Sequence, residues 1–132
     1  MSSEMERELE RTIQMRGFRF GTHDFLAELR GVEALKAHND SSEVNYLKKG
    51  LMDRKTKELV IIAACVAQKD HISHIQCHMW AAHKAGASPE EILELVELLS
   101  SWTGSVAKTC GLEAWRVLFR PDIPTVYRLE RR

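Results

Sequence analysis

The fold is decided by the stretch Asp53–Gly86, DRKTKELVIIAACVAQKDHISHIQCHMWAAHKAG. Within it, the run Leu59–Ala67 contains no polar residue except the thiol of Cys65, and Glu58 stands directly before the run. A helix that is apolar on all sides is typical of a buried helix. The segment that follows carries three histidines, His71, His74 and His78. We therefore predict two packed helices, one buried and one bearing histidines, with any chemistry lying between them.

Size and charge limit the range of functions. The chain has 132 residues, 44% hydrophobic and 29% charged, as expected for a single soluble globular domain. Its 19 basic residues balance 19 acidic ones, so the net charge is zero and does not indicate binding to nucleic acid or to a membrane. The first residues contain no apolar signal segment. Three cysteines at unrelated spacings argue against a disulfide framework and favour a reducing, cytoplasmic setting.

The helical pattern extends along the chain. Apolar positions at helical spacing, glycine breaks and cap residues predict an all-α, compact bundle of about six helices. We expect one domain, 1–132, with an N-terminal helical region 1–50, a core 51–119 and a C-terminal tail 120–132. The sequence Ser88-Pro89-Glu90-Glu91 is a capping box that begins a helix. The predicted helices are 2–16, 23–36, 44–49, 54–69, 71–85, 90–102 and 106–119. Asp53 and Asp70 are predicted to cap the fourth and fifth of these, and the stretch 38–42 is predicted as a turn.

The three histidines are predicted to share one face of their helix. On a helical wheel of about 100° per residue, they fall within a narrow arc together with Ile75 and Ala82. We expect this arc to face the core or a pocket. Trp80 falls on the opposite side, which favours either a subunit interface or packing on another segment of the same chain.

Glu58 has two interpretations. It shares a face of its helix with Ile62 and Cys65, so its side chain should point to the interior. It is either an acidic residue stabilised by the dipole of the helix N-terminus, or a partly buried carboxylate that bonds a histidine and exchanges protons. From the spacing alone, the helix-dipole interpretation is the favoured one.

A metal site is a further hypothesis. His74 and His78 have the i, i+4 spacing that lets two imidazoles on one helix bind one ion. His71 and His78 are about 10 Å apart along the axis, which is too far for a single ion. A site would use two histidines with Glu58 or a thiol, and a divalent ion such as zinc or nickel. Histidine-rich helices also occur without metal, and the alternative is that no cofactor is required.

The cysteines predict little redox chemistry. There is no Cys-x-x-Cys sequence. Cys65 lies inside the apolar run and is predicted to be an inert core residue. Cys110 follows Lys108 near the start of the last helix, where the dipole and the lysine would lower the pKa of its thiol. Cys110 is therefore the best candidate for a reactive thiol.

Three segments match a known family in order and spacing: Leu51–Leu59 (LMDRKTKEL), Ala81–Ile92 (AAHKAGASPEEI) and Thr103–Ser105 (TGS). Over about half its length the chain resembles the carboxymuconolactone decarboxylase family, which includes the alkylhydroperoxidase D-like proteins. The resemblance implies an all-α fold of the alkylhydroperoxidase D-like type and a homo-oligomer, commonly a trimer or hexamer. It implies one of two activities. These are decarboxylation of a carboxymuconolactone, and thiol peroxidase chemistry with a glutamate, a Cys-x-x-Cys pair and a histidine.

The resemblance also assigns residues. His78 matches the family histidine and Glu58 matches the family glutamate. His71 and His74 stand where the peroxidase branch has its two cysteines, and Cys110 stands where some members have a histidine. Because imidazole cannot form a disulfide, the dithiol peroxidase mechanism is disfavoured.

We therefore expect a carboxymuconolactone decarboxylase-like enzyme that acts by Glu/His proton transfer on a small carboxylated lactone or related acid. The expected catalytic residues are Glu58, His74 and His78, and the expected substrate-binding residues are His71 and Cys110. An anionic substrate would also need cations, for which the candidates are Arg54, Lys57, Lys69 and Lys108. One alternative is a peroxiredoxin- or alkylhydroperoxidase-like antioxidant protein that uses the single thiol of Cys110 or Cys77. The other is a non-catalytic helical oligomer that binds a metal or a small ligand.

Overall fold

The computed structural model describes residues 3–132 and confirms the all-α prediction. Over these residues the chain forms seven α-helices, one π-helix and no strand. They are α1 (Ser3–Arg16), α2 (Gly21–Arg30), α3 (Val32–Ser42), the π-helix Glu43–Leu47, α4 (Arg54–Ala67), α5 (Ile72–Lys84), α6 (Pro89–Thr103) and α7 (Ser105–Phe119). The chain divides into two compact units, Met1–Asp53 and Arg54–Arg132. Among the helices described, none is long and apolar enough to cross a bilayer.

In the first unit, the helix predicted over 23–36 is divided at Gly31. Its φ of 82° lies in the left-handed region, which glycine adopts at low cost and which a continuous helix cannot contain. The chain therefore ends α2 at Arg30 and begins α3 at Val32. The short helix predicted over 44–49 is present as the π-helix that directly follows α3.

The turn predicted over 38–42 is wrong, because these residues form the last part of α3. Asn39 supplies the reason. It is fully buried, its Nδ2 donates to the backbone oxygen of Glu8 at 3.1 Å, and its Oδ1 accepts from Oγ1 of Thr12 at 3.1 Å. These bonds join α3 to α1 and outweigh the turn preference of the Asn-Asp-Ser-Ser sequence.

In the second unit, α4 contacts α5, α6 and α7. Its buried face includes Glu58, Ile62 and Val66. The prediction that α4 is buried on all sides is wrong, since Val60 is 54% exposed. The core between the four helices consists of apolar side chains from each: Ile62, Val66, Ile75, Met79, Ile92, Val96, Ala107 and Ala114.

The predicted start of α6 is confirmed, whereas the predicted cap of α5 at Asp70 is wrong, because the N-cap is His71. The backbone N–H of Glu91 donates to Oγ of Ser88 at 3.0 Å, and Pro89 is the first residue of α6. Gly104, with φ of 86°, separates α6 from α7. The cap at Ser88 sets where α6 begins, and Gly104 sets where α6 ends and α7 begins.

Gly111 lets α7 approach α4 and α6 closely. A Cβ atom built at this glycine would lie 2.8 Å from Cγ1 of Val96 and 3.0 Å from Cγ1 of Val66. Both valines are fully buried, so neither side chain has free space to move into. The contact places the start of α7, with Cys110, beside the turn that joins α4 to α5.

The C-terminal segment 120–132 is not helical and is attached to α7 through Glu113. The carboxylate of Glu113 accepts from Oγ1 of Thr125 at 2.9 Å, from the backbone N–H of Val126 at 3.0 Å and from Nη2 of Arg116 at 2.6 Å. These bonds, with Arg116 first, lower the pKa of Glu113 to about 2. The tail is therefore held by this carboxylate together with Nη1 of Arg116, which donates to the backbone oxygen of Ile123 at 2.6 Å.

Candidate functional site

Glu58 lies in the second turn of α4 and is fully buried. Its Oε2 accepts from Nδ1 of His78 on α5 at 2.8 Å, and its Oε1 accepts from Nε of Arg54 at 2.7 Å. The interpretation of Glu58 as an interior carboxylate bonded to a histidine agrees with this geometry. The helix dipole stabilises the carboxylate of Glu58 less than predicted, because Glu58 lies beyond the first turn of α4 and the effect falls off within that turn.

His78 in turn faces His74, one turn earlier on α5. His78 is 7% exposed, and its Nε2 lies 3.3 Å from Nε2 of His74. The ring centroids are 4.9 Å apart and the ring planes make an angle of 75°. The side chain of His74 is 39% exposed, so the pair joins a buried imidazole to one that reaches the surface.

Asp70 completes the arrangement from the turn between α4 and α5. Its Oδ2 forms an ion-pair hydrogen bond with Nδ1 of His74, and its Oδ1 accepts from the backbone N–H of His71 at 2.7 Å. The bond from His74 is the main reason that the pKa of Asp70 is lowered. Glu58, His78, His74 and Asp70 thus form one continuous series of side-chain contacts, which we call the carboxylate–histidine chain.

The predicted position of His71 on the same arc is wrong. His71 is the N-cap of α5, with φ of −59° and ψ of 135°, and it is exposed. Its Nδ1 accepts from the backbone N–H of Ser73 at 3.1 Å. A helical wheel assumes helical dihedral angles, and His71 lies just outside the helix. Its role in binding substrate stays a prediction.

The pKa of each thiol is raised, so the lowered pKa predicted for Cys110 is wrong. Burial and, next, the charge of Asp70 raise the pKa of Cys110, against the expectation that Lys108 and the helix dipole would lower it. Sγ of Cys110 donates to the backbone oxygen of Asp70 at 3.4 Å. Burial, followed by Asp70, raises the pKa of Cys65 to about 11, and burial raises that of Cys77. All three thiols are therefore held in the protonated form, which is the poor nucleophile.

The metal-ligand set that the fold assembles differs from the predicted one. Ligand atoms of Cys65, Asp70 and His74 lie within 4.8 Å of one another. Glu58, predicted as a third ligand beside His74 and His78, instead has one carboxylate oxygen on His78 and the other on Arg54. Metal binding by these residues stays a prediction.

Two members of the site were not identified from the sequence, Asp70 as a partner of His74 and Arg54 as a partner of Glu58. Arg54 and Glu58 have the i, i+4 spacing at which side chains meet along a helix. Asp70 and His74 have the same spacing in the sequence, although Asp70 lies in the turn before α5. That spacing was the available signal. Arg54 was considered only as a cation for substrate, and Asp70 only as a helix cap.

Trp80 lies on the outer side of α5 and is 40% exposed. The ammonium of Lys84 lies 4.9 Å from the centroid of its ring, and the ring of His83 is 6.0 Å away. Its predicted position opposite His74 and His78 agrees with this exposure. The subunit-interface interpretation of Trp80 stays a prediction.

Comparison with known proteins gives one match. The model of the carboxymuconolactone decarboxylase family matches residues 33–116, which is more than half of the chain. No curated protein and no solved structure matches the chain. The matched region contains the whole carboxylate–histidine chain and the helices that carry it. The chain belongs to the carboxymuconolactone decarboxylase family.

Proposed function

We propose that this protein is a carboxy-lyase of the carboxymuconolactone type that removes CO2 from a small carboxylated lactone or a related acid. The observation that carries the proposal is the 2.8 Å hydrogen bond between the buried Glu58 and His78, two residues of a chain that belongs to this family. A carboxylate that holds an imidazole in one orientation is the usual partner of a histidine acting as acid or base.

The reaction needs a proton at the carbon that loses CO2. When the carbon–carbon bond breaks, the electron pair stays on the substrate as a carbanion or enolate, and that carbon must then be protonated. His78 in its protonated form would supply the proton, and the charge of Glu58 would stabilise the imidazolium before transfer. General acid catalysis of this kind typically contributes about 100- to 10,000-fold to the rate.

His74 would return the proton to His78. The two Nε2 atoms are 3.3 Å apart, and the side chain of His74 is 39% exposed. A proton taken from solvent by His74 can therefore reach the buried His78 across one short contact. Asp70, bonded to Nδ1 of His74, would hold the imidazole of His74 with its Nε2 toward His78 during this step.

The carboxylate of the substrate would need a cation near Glu58. Arg54 is our candidate because it bonds the carboxylate–histidine chain directly. Its Nε donates to Oε1 of Glu58, and its side chain is 30% exposed. A guanidinium binds carboxylates through parallel N–H groups and stays charged in proteins. We propose that His71 and Cys110, which flank Asp70, contact the rest of the substrate.

The assembly and location of the protein are part of the same proposal. We propose a homo-oligomer, trimeric or hexameric, because large apolar side chains of the second unit are exposed, with Trp102 at 83%, Val106 at 67% and Leu98 at 64%. Exposed apolar groups of this size are typical of surfaces that another protein covers. We propose a cytoplasmic location because the three cysteines are free thiols.

Thiol peroxidase activity is the less favoured function. His71 and His74 occupy the positions of the family's cysteine pair, and the pKa of each remaining thiol is raised. A single thiol with a raised pKa offers little thiolate to attack a peroxide. No observation at the site favours this chemistry over proton transfer.

The test measures CO2 release from carboxymuconolactone by the native chain and by Glu58→Gln and His78→Gln. Both variants should lose about 100-fold or more of the turnover, because each removes one half of the proton-transfer pair. His83→Gln, on the same helix but outside the chain of contacts, is the matched control and should keep its rate. Equal rates in all four proteins, or no CO2 release by the native chain, would remove the proposal.

A further inference from the structure

The two histidines of α5 face each other in an unusual way. Nε2 of His74 and Nε2 of His78 are 3.3 Å apart, while Nδ1 of each ring points to a different carboxylate. His74 is bonded to Asp70 and His78 to Glu58. The carboxylate bonded to Nδ1 therefore fixes the orientation of each ring, and the two Nε2 atoms lie next to each other.

This pattern decides where the ring hydrogens lie. A carboxylate oxygen only accepts, so Nδ1 of each imidazole carries a hydrogen and donates it. In the neutral rings, both Nε2 atoms then present a lone pair to the same point. The 3.3 Å contact is therefore bridged by a cation, either a proton carried by one of the two Nε2 atoms or a metal ion bound by both.

We propose that His74 and His78 bind one divalent transition-metal ion of the zinc class through their Nε2 atoms. Nitrogen ligands lie about 2.0–2.1 Å from zinc, and at a tetrahedral angle two of them are about 3.3 Å apart. The observed Nε2–Nε2 distance is 3.3 Å. Two such rings have centroids about 5 Å apart, and the observed distance is 4.9 Å.

Glu58 and Asp70 act on the ion through the histidines rather than as ligands. Metal-binding histidines commonly donate their other N–H to a carboxylate, which fixes the ring and raises its basicity. Both histidines here have that arrangement. The ion would have two protein ligands, and its other coordination positions would be taken by water or by an anionic ligand.

The cluster of Cys65, Asp70 and His74 is the competing ligand set. Coordination by Asp70 would take a carboxylate oxygen from Nδ1 of His74 or from the backbone N–H of His71. Coordination by His74 through Nδ1 would also turn Nε2 away from its present geometry. The Nε2 pair requires neither change, and for this reason we choose it.

The proposal does not rest on the decarboxylase function. A metal ion would take the place of the proton that passes between the Nε2 atoms of His74 and His78. The site cannot bind the ion and transfer the proton at the same time. Binding is measured without substrate, and its result is independent of any turnover.

The experiment titrates the native chain with Zn²⁺ against a chromophoric chelator and with Co²⁺ followed by absorption spectroscopy. We expect one ion per chain and a cobalt spectrum without a thiolate charge-transfer band. His74→Gln and His78→Gln should each weaken binding by at least about 10-fold, and Asp70→Asn should weaken it by about 10- to 100-fold. His74 is partly exposed, so His74→Gln decides the result if His78→Gln does not fold.

Two variants serve as controls. His71→Asn keeps an N-cap acceptor while removing the third histidine, and Cys65→Ala removes the thiol of the competing set. Both should bind zinc like the native chain. Absence of binding in the native chain, unchanged binding in His74→Gln, or loss of binding in Cys65→Ala would each overturn the proposal.

Discussion

Nε of Arg54 donates to Oε1 of Glu58 at 2.7 Å, one turn apart on α4, so the buried carboxylate bonds a guanidinium as well as His78. The pair is asymmetric. Glu58 is fully buried, whereas 30% of the Arg54 side chain is exposed. Burial lowers the pKa of Arg54, yet a guanidinium stays charged at neutral pH. Arg54 therefore supplies the nearby positive charge that offsets the burial of Glu58.

The first prediction concerns this pair. Arg54→Met should lower the free energy of unfolding by about 1–3 kcal/mol, because it leaves Oε1 of Glu58 buried without its charged donor. Urea unfolding followed by circular dichroism measures the loss. Lys55→Met is the matched control, since Lys55 pairs with Glu91 at the surface at 2.8 Å and exposed pairs of this kind contribute little to stability. Equal losses in the two variants would contradict the account of Arg54.

The second prediction concerns Gly111. Gly111→Ala should destabilise the second unit by about 1–3 kcal/mol, because the new methyl group would lie 2.8 Å from Cγ1 of Val96 inside a closed core. The double variant Gly111→Ala, Val96→Ala should lose less than the sum of the two single losses, since the smaller side chain makes room. Thermal unfolding of the three variants gives the coupling. Additive losses would show that the two positions do not compete for space.

The contact of Glu58 with His78 could be predicted because it depends on local patterns. Glu58 shares a helix face with Ile62, and His78 lies on the inner arc of the next helix. A short turn joins α4 to α5, and short turns bring consecutive helices side by side. The family resemblance supplied the same pair independently.

The predictions that were wrong depend on helix ends and tertiary contacts, which a helical wheel or the composition does not describe. His71 does not share the face of His74 and His78 because α5 begins one residue after it, at Ile72. The raised pKa of Cys110 arises first from burial and then from the charge of Asp70, which is forty residues away in sequence and next to it only in the folded unit. Asn39 is helical because its partners lie on α1. Each failure is a case of tertiary contacts overriding a local preference.

The third prediction concerns the acid dependence of the C-terminal tail. The folded-state pKa of Glu113 is about 2, below the ordinary value of 4.5, because Arg116, Val126 and Thr125 bond the carboxylate. A lowered pKa means that the contribution of Glu113 to stability is complete above pH 4.5 and is lost as the pH falls through about 2. Glu113→Gln should abolish this part of the pH dependence.

Hydrogen exchange at the backbone N–H of Val126 measures the same attachment locally. That N–H donates to Glu113 at 3.0 Å, so Glu113→Gln should speed its exchange at pH 6. Glu130→Gln, which removes only the exposed pair with Arg128, should leave the exchange of Val126 unchanged. A native-like exchange rate in Glu113→Gln would mean that the tail is held by other contacts.

The last prediction concerns the thiols and bears on the less favoured peroxidase function. Because the pKa of each thiol is raised, alkylation by iodoacetamide at pH 7 should be slower for all three cysteines than for a free thiol in a peptide. Cys65, with a pKa of about 11, should react slowest while the protein is folded. Mass spectrometry of peptides after timed alkylation assigns a rate to each site. Rapid alkylation of Cys110 at pH 7, lost in Cys110→Ser, would reveal a thiolate there and would return the single-thiol peroxidase to consideration.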